Sequence, residues 1–190
     1  MQIPDSKLVA RRLRSLRARL RGEVDIEGLV ELGLCLGKDV YIAPSVLIDY
    51  VATHLITIDD YATLAPRAQV LAHDASTREA LGYTRLAPVH IGKRAFIGAA
   101  TLVLPGSTIG DGAVIGAGSL VSGDIPAGML ARGRPARIVS TTEEFYARRR
   151  LGLEKAAESG LIFEVQDRQT PEGRERMRAL VHEAGEGFIR

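Results

Sequence analysis

The sequence has no tryptophan, and aromatic residues make up only 5% of the chain although 46% of it is hydrophobic. A globular core usually takes more of its volume from bulky rings. The apolar content therefore favours a narrow, layered core in which aliphatic side chains stack on one another. At 190 residues the chain suits one domain with appendages.

Cysteine, net charge and long apolar runs are also scarce. Cys35 is the single cysteine, so no disulfide can form within the chain, and we expect a reduced, cytoplasmic setting. The formal net charge of +2 gives no support for nucleic-acid binding. No apolar run is long enough to cross a bilayer, and the basic N-terminal segment lacks the apolar stretch of a secretory signal.

A six-residue repeat occupies the stretch from Ile91 to Val121. An aliphatic residue recurs at every sixth position, and a small residue follows four positions after each of the first five. The aliphatic positions are Ile91, Ile97, Val103, Ile109, Ile115 and Val121, and the small ones are Ala95, Thr101, Ser107, Ala113 and Ser119. This period fits neither a helix nor an alternating strand, so it predicts a solenoid whose unit is a short strand and a turn.

The same repeat begins at Gly37 and is interrupted twice. The first interruption, near residues 49–56, is four residues longer than a multiple of six and predicts a bulge or short loop at one corner. The second covers residues 74–88. A segment of that length inside a compact repeat usually projects from the scaffold and covers a functional site, although a neutral insertion is the alternative.

Helical patterns flank the repeats. Residues 5–21 predict a basic helix with Asp5 as its N-cap and a stripe of leucine and valine, which could lie on anionic lipid or dock onto the repeats or a partner subunit. Thr141 with Glu144, and Thr170 with Pro171, predict the starts of two later helices. We therefore expect an N-terminal helix and linker (1–36), a repeat domain (37–139) and a C-terminal helical extension (140–190).

The stretch from Ile42 to Val139 resembles the hexapeptide-repeat acyltransferases, most closely the sugar and polysaccharide O-acetyltransferases and the xenobiotic acetyltransferases. The resemblance rests on the hexads, the block LPGSTIGDGAVIGAGSLV, the DIPAG turn and the GRPARIV exit. It implies an all-β fold, a left-handed parallel β-helix with three hexads in each coil, here flanked by the helices. It also implies acetyl-CoA as co-substrate and a homotrimer with active sites between subunits.

Transfer of an acyl group from a thioester to a hydroxyl needs a base for the hydroxyl proton. His73 adjoins the longer interruption, and the resemblance makes it the catalytic base. Asp74 follows it, but neighbours in extended chain point to opposite faces, so we expect Asp74 to cap the loop. The resemblance suggests that Asp49, with Tyr50 beside it, binds the acceptor. A solvated corner residue is the alternative for Asp49.

The resemblance further implies that the pantetheine arm of acetyl-CoA lies along small residues in a groove between subunits. The matching positions are Phe96, Gly98, Ala99, Ala100, Ala117, Gly118, Ser122, Arg134 and Arg137. Ser122-Gly123 replaces a Thr-Lys pair that is common in the family, which leaves the coenzyme phosphates to Arg134, Arg137 and the additional Arg132. Tight corners would require small residues in any case, and a solvated basic turn is the alternative for the arginines.

We therefore predict an acetyl-CoA-dependent O-acetyltransferase in which a hydroxyl of a sugar or polysaccharide-related acceptor attacks the thioester directly, without a metal. A xenobiotic or antibiotic acetyltransferase is the second hypothesis, and a non-catalytic scaffold the third. A zinc protein similar to the γ-class carbonic anhydrases is the fourth, because His54, His73 and His90 are spaced by about one coil and three imidazoles can hold zinc.

Overall fold

The computed structural model describes residues 24–190. The helix predicted for residues 5–21 lies outside the described residues. The chain divides into two compact units, of which the first ends at Thr142 and the second comprises Glu143–Arg190. Among the described residues, no helix has the length and apolar character needed to cross a membrane.

The first unit begins with a short helix, α1 (Ile26–Glu31), whose N-cap Asp25 accepts a hydrogen bond from the backbone N–H of Gly28. Short strands follow it. They are β1 (Cys35–Leu36), β2 (Tyr41–Ile42), β3 (Leu47–Ile48), β4 (Ile56–Ile58), β5 (Thr63–Leu64), β6 (Gln69–Val70), β7 (His73–Asp74), β8 (Arg85–Leu86), β9 (Val89–Ile91), β10 (Phe96–Ile97), β11 (Leu102–Val103), β12 (Thr108–Ile109), β13 (Val114–Ile115), β14 (Leu120–Val121), β15 (Met129–Arg132) and β16 (Arg137–Thr141).

Apart from the pair of β7 and β8, the strands from β1 to β14 enter three sheets in turn. Sheet I contains β1, β4, β9 and β12, sheet II contains β2, β5, β10, β13 and β15, and sheet III contains β3, β6, β11 and β14. The strands within each sheet are parallel, and β16 adds to β15 in the antiparallel direction. The chain therefore coils with one strand on each of three sides. Corner II/III leads from sheet II to sheet III, and corner III/I leads from sheet III to the next strand of sheet I.

The register between coils confirms the two interruptions in the repeat. Val103 pairs with Val121, 18 positions on, which is the length of three hexads. Ile48 pairs with Val70, 22 positions on, and Val70 pairs with Val103, 33 positions on. The coils thus carry insertions of four and fifteen residues. Both insertions leave the scaffold at corner III/I, and the shorter one contains a 3-10 turn, Thr53–Leu55.

The repeated aliphatic side chains form the core. All six from Ile91 to Val121 have no exposed surface, and each lies in register with its equivalent one coil away. Burying one such side chain stabilises the folded state by about 1.5–3 kcal/mol. Each coil adds further buried side chains of the same kind. The small residues at the corners are buried too, and their hydroxyls are satisfied within the turns: Ser119 Oγ donates to the carbonyl of Gly116 at 2.5 Å.

The second unit combines helices with one strand pair. Helix α3 (Thr142–Glu158) starts directly after Thr141, the residue that the sequence predicts as its cap and that is also the last residue of β16. Strands β17 (Ile162–Phe163) and β18 (Phe188–Ile189) are parallel, and helix α4 (Pro171–Ala184) lies between them in the chain. Thr170 caps α4 as predicted, since its side chain accepts from the backbone N–H of Gly173 at 3.0 Å. Gly185 ends that helix with a left-handed backbone.

Candidate active site

His73 lies at corner III/I, where the fifteen-residue insertion leaves the coil. The insertion is a hairpin: β7 pairs with β8 in antiparallel, so that His73 is opposite Leu86 and Asp74 is opposite Arg85. A helical turn, α2 (Arg78–Leu81), closes the hairpin and ends at Gly82, whose backbone is left-handed. The sequence predicts a projecting segment there but not its secondary structure, because a strand of two residues is too short to show a periodic pattern.

Asp49 follows β3 on the preceding coil and is the closest partner of His73. The residue is 2% exposed, and its carboxylate lies 2.5 Å from Nδ1 of the imidazole. The same carboxylate accepts from the backbone N–H groups of His73 and Ala72, both at 3.0 Å, and from those of Val51 at 2.9 Å and Ala52 at 3.4 Å. Asp49 is therefore a buried acceptor with several donors, and the alternative of a solvated corner residue is wrong.

This arrangement determines the tautomer of His73. An ionised carboxylate only accepts hydrogen bonds, so Nδ1 carries the proton and donates it to Asp49. The other ring nitrogen, Nε2, is left with its lone pair. The imidazole is partly exposed, with 28% of its side-chain surface accessible, whereas the Asp49 side chain is buried. His73 can therefore meet a substrate on its Nε2 side while Asp49 holds the ring.

Two opposing effects act on the pKa of Asp49. Burial raises it, but the hydrogen bonds from the His73 side chain and from the backbone N–H groups of Ala72 and Val51 outweigh burial, and the pKa is lowered below its ordinary value. The carboxylate is therefore negative at neutral pH. A negative charge at this distance stabilises the positive imidazolium that forms when Nε2 takes a proton.

The pairing of Asp49 with His73 is the main feature of the site that the sequence analysis missed. The signal for it lies in the four-residue insertion, which lengthens this coil to 22 residues. Position 71 is then level with Asp49, and His73, two residues further on, returns to the same side of the chain. The phase of the interrupted repeat could have predicted the contact.

Asp74 takes the capping role expected from its sequence position. Its Oδ1 accepts from the backbone N–H of Ser76 at 2.9 Å, and this hydrogen bond is the main reason why the pKa of Asp74 is lowered. Arg85, opposite Asp74 on the hairpin, donates from Nη1 to the carbonyl of Pro105 at 3.2 Å. Arg85 thereby fastens the hairpin to the following coil at the same corner.

Most of the candidate cofactor positions lie together at corner II/III. Ala99 and Ala100 occupy this corner on one coil and Ala117 and Gly118 on the next, joined by a hydrogen bond from the N–H of Gly118 to the carbonyl of Ala99 at 2.8 Å. A Cβ added to Gly118 would meet no atom within 4 Å, so the surface beside it is open. These small residues therefore share one corner on successive coils, and that they line the cofactor groove stays a prediction.

Gly98 at the same corner has a different constraint. A Cβ at this position would lie 2.5 Å from the backbone nitrogen of Ala117 and 2.6 Å from the carbonyl oxygen of Ile115. The neighbouring coil is therefore too close for any side chain. Packing between coils alone explains this glycine, as the alternative interpretation of the small residues predicts.

The basic candidates follow on the next coil. Arg134 lies in the turn from β15 to β16 next to corner II/III, where the carbonyl of Gly133 accepts from the N–H of Leu120 at 3.0 Å. Arg137 is paired across the two strands with Arg132, and all three arginines are exposed. Among residues 24–190 none of the three forms an ion pair with a carboxylate. Guanidinium groups directly opposite each other repel, which makes this turn suited to an anion.

Two further candidates stand apart from that group. Phe96 is on the outer face of sheet II, 41% exposed, between Thr63 and Val114 of the neighbouring strands. Ser122 is not at corner II/III at all, because it follows β14 at corner III/I, on the side of His73. Within one chain, sheet III thus separates the His73 corner from the wall of small residues.

The three histidines of the zinc hypothesis do not stack. His90 lies in sheet I between Thr57 and Thr108, with Nε2 2.8 Å from Oδ2 of Asp59. His54 is in the 3-10 turn, and His73 is in the hairpin. In the part of the chain that the structure describes, no three His, Cys, Asp or Glu residues are grouped to hold a metal ion.

Comparison with known proteins gives the family. Residues 88–123 match the family model described as "Bacterial transferase hexapeptide (six repeats)". The chain is 37% identical over 127 residues to the "Putative acetyltransferase YvoF" of Bacillus subtilis strain 168, a match that covers 67% of this chain and 69% of the relative. Other curated relatives match over 29% to 44% of their own length.

Solved structures with the same fold include a hexapeptide-repeat-containing acetyltransferase of Vibrio cholerae in complex with acetyl coenzyme A. The TM-score is 0.56 at 23% identity, over 73% of this chain and 90% of that one. A maltose O-acetyltransferase of Clostridium difficile 630 has a TM-score of 0.52 at 28% identity, over 72% and 89% of the two chains. With the long match to the Bacillus relative, these likenesses lead to one conclusion: the chain belongs to the hexapeptide-repeat family of bacterial transferases.

Proposed function

We propose that this transferase moves an acetyl group from acetyl-CoA to a hydroxyl of a sugar or polysaccharide-related acceptor, with His73 as the general base. The observation that carries the proposal is the contact of 2.5 Å between Nδ1 of His73 and the buried carboxylate of Asp49. A histidine whose second nitrogen is held by a buried carboxylate is the usual arrangement for a base that must act at Nε2.

In the proposed reaction, Nε2 of His73 removes the proton from the acceptor hydroxyl while its oxygen attacks the carbonyl carbon of the thioester. A carbon–oxygen bond forms, and the tetrahedral intermediate then collapses with cleavage of the carbon–sulfur bond. The proton on Nε2 passes to the leaving thiolate, which restores neutral His73 and releases coenzyme A. The protein forms no covalent intermediate, and Asp49 stabilises the imidazolium during its short lifetime.

Asp49 is assigned a positioning role in place of the predicted contact with the acceptor. Five donors from four residues surround its carboxylate, and it is buried, so little of it is left for a substrate hydroxyl. Tyr50 beside it is 75% exposed and stays our candidate for the acceptor side. The likeness to a maltose O-acetyltransferase at 28% identity supports a sugar acceptor.

The wall at corner II/III fits the co-substrate. The pantetheine arm must approach the protein backbone closely. Side chains at this corner are small enough to allow that approach, at Ala99, Ala100, Ala117 and Gly118. The exposed guanidinium groups of the turn at Arg134 follow on the next coil, where they can bind the phosphates. The complex of the Vibrio relative with acetyl coenzyme A supports this co-substrate.

The site is proposed to form between subunits of a homotrimer with left-handed coils. In one chain His73 and the wall of small residues lie on opposite edges of sheet III. Joining corner III/I of one subunit to corner II/III of the next brings base and co-substrate together, and three such contacts close a ring. The left-handed winding follows the family, against the right-handed rule for ordinary crossovers. A cytoplasmic location and a membrane contact through residues 5–21 stay predictions.

An acceptor screen tests the proposal. Purified protein is incubated with acetyl-CoA and a panel of simple glycosides, and the release of coenzyme A is followed through its free thiol. We expect turnover that His73→Ala reduces by about 10²–10⁴-fold, the usual contribution of a general base. His90→Ala is the matched control, because His90 also contacts a carboxylate but lies on sheet I. Equal losses in both variants, or none in His73→Ala, would remove His73 as the base.

A further inference from the structure

The hairpin carries large apolar side chains that are exposed and do not pack into a core. Leu81, Tyr83 and Leu86 are 65%, 78% and 54% exposed, and the helical turn α2 has no buried residue. Polar contacts hold the hairpin instead, from Arg85 to Pro105 and from Thr77 Oγ1 to the carbonyl of Tyr83. These apolar side chains are therefore available to contact something else.

Leu86 is the one of the three that lies directly opposite His73. The backbone N–H of His73 donates to Asp49, and the adjacent ladder bond runs from the N–H of Ala87 to the carbonyl of Ala72. His73 and Leu86 therefore form a non-hydrogen-bonded pair, the kind in which side chains come closest, with Cβ atoms about 4.5–5.5 Å apart. Both side chains stand on the same face of the hairpin.

The imidazole and the Leu86 side chain thus form one small surface that is polar and basic at Nε2 and apolar at the leucine. Nδ1 is occupied by Asp49, so the ring reacts through Nε2, and the leucine offers an apolar contact beside it. An acceptor hydroxyl at Nε2 would place its neighbouring carbon atoms within reach of Leu86. A polar or charged substituent at that place would lose its hydration without gaining a partner, which is unfavourable.

Building on the proposed function, we propose that Leu86 selects the acceptor: it binds an apolar group or face next to the hydroxyl that His73 deprotonates. The preferred substrates are glycosides that carry an alkyl or aryl group near the reacting hydroxyl. Leu86 acts on specificity and takes no part in proton transfer.

Matched pairs of acceptors test this assignment. We would compare methyl and phenyl glycosides of glucose and galactose, and measure kcat/KM for each with wild-type protein, Leu86→Ser and Leu86→Met. Leu86→Ser should lower the phenyl-to-methyl ratio of kcat/KM by about tenfold, the effect expected for losing one or more methylene contacts, with the KM for acetyl-CoA unchanged. Leu86→Met keeps the apolar contact and should restore most of the ratio.

Leu81→Ser is the control, since Leu81 is exposed on the same hairpin but is not paired with His73. It should leave the ratio unchanged. An unchanged ratio in Leu86→Ser, or an equal fall in Leu81→Ser, overturns the assignment. A change in oligomeric mass of Leu86→Ser by light scattering also overturns it, because Leu86 would then contact a second copy. Absence of turnover with all glycosides, with acetyl-CoA bound, instead rejects the proposed function, and the assignment falls with it.

Discussion

The carboxylate of Asp49 accepts two hydrogen bonds from His73, one from the backbone N–H at 3.0 Å and one from Nδ1 at 2.5 Å. It therefore holds both the strand that carries the histidine and the ring itself. Because the other donors come from its own corner and from Ala72, the carboxylate connects two successive coils at the site. Removing the charge of Asp49 should therefore lower both the catalytic rate and the free energy of unfolding, and the two effects can be measured independently.

Asp49→Asn should reduce kcat by about 10²–10⁴-fold with little change in the KM for either substrate. The amide keeps the size of the carboxylate, but it cannot stabilise the imidazolium, and its NH₂ group can favour the wrong tautomer of His73. Steady-state kinetics over both substrates measure this. Asp59→Asn, at the other histidine–carboxylate pair, should leave kcat unchanged. A rise in the KM for the acceptor at constant kcat would instead support an acceptor-binding role for Asp49.

The lowered pKa of Asp49 predicts a stability that depends on pH. The folded pKa lies below the unfolded value of about 3.9, so the contribution of this carboxylate is fully present above the unfolded pKa and is lost as the pH falls through the folded pKa. Urea unfolding should show wild-type protein more stable than Asp49→Asn by about 1–3 kcal/mol from pH 5 to 8. The difference should shrink below about pH 4. A constant difference down to pH 3 would contradict this account.

The close approach of the coils at corner II/III predicts unequal costs for two alanine substitutions. Gly98→Ala places a Cβ 2.5 Å from the backbone nitrogen of Ala117, where neither coil can move freely, so we expect a loss of more than about 2 kcal/mol or failure to fold. Gly118→Ala adds only left-handed strain of about 1–2 kcal/mol. Ala100, with φ of 56° at the equivalent corner, shows that alanine is tolerated there. Thermal unfolding of both variants measures the difference.

Gly118→Ala also tests the co-substrate wall. If acetyl-CoA lies against this corner, the added methyl group should raise the KM for acetyl-CoA several-fold while the acceptor KM stays constant. Unchanged kinetics in a stable Gly118→Ala protein would move the co-substrate elsewhere.

The six-residue repeat allowed the register between coils and the buried positions to be predicted for individual residues. Because each coil must return to the same sheet, the breaks of four and fifteen residues appear directly in the register, and the buried positions follow from Ile91 onward. The inner structure of the hairpin was not predictable, because its strands are two residues long. The partner of His73 was missed because Asp49 is 24 residues away in the chain, and the pairing of Ile48 with Val70 follows from the sequence only when the four-residue insertion near Thr53–Leu55 is counted.

The pair of Arg132 and Arg137 yields a prediction with two independent readouts. The two guanidinium groups are opposite each other across β15 and β16, so their repulsion is relieved when an anion binds. Arg137→Gln should raise the KM for acetyl-CoA by about 5–20-fold, as expected for the loss of one charge-assisted contact. If Arg137 binds the 3′-phosphate, the affinities of the variant for coenzyme A and 3′-dephospho-coenzyme A should also differ less than those of wild-type protein do.

The unliganded protein provides the second readout. Without a phosphate present, Arg137→Gln removes a like-charge contact and should leave the protein as stable as wild type or a few tenths of a kcal/mol more stable. Added coenzyme A should then raise the melting temperature of wild-type protein more than that of the variant. Arg94→Gln is the control, because Arg94 is 5.2 Å from the ring of Tyr61 at another corner. If Arg94→Gln weakens coenzyme A binding as much as Arg137→Gln does, the effect comes from overall charge, and the turn at Arg134 is not the phosphate site.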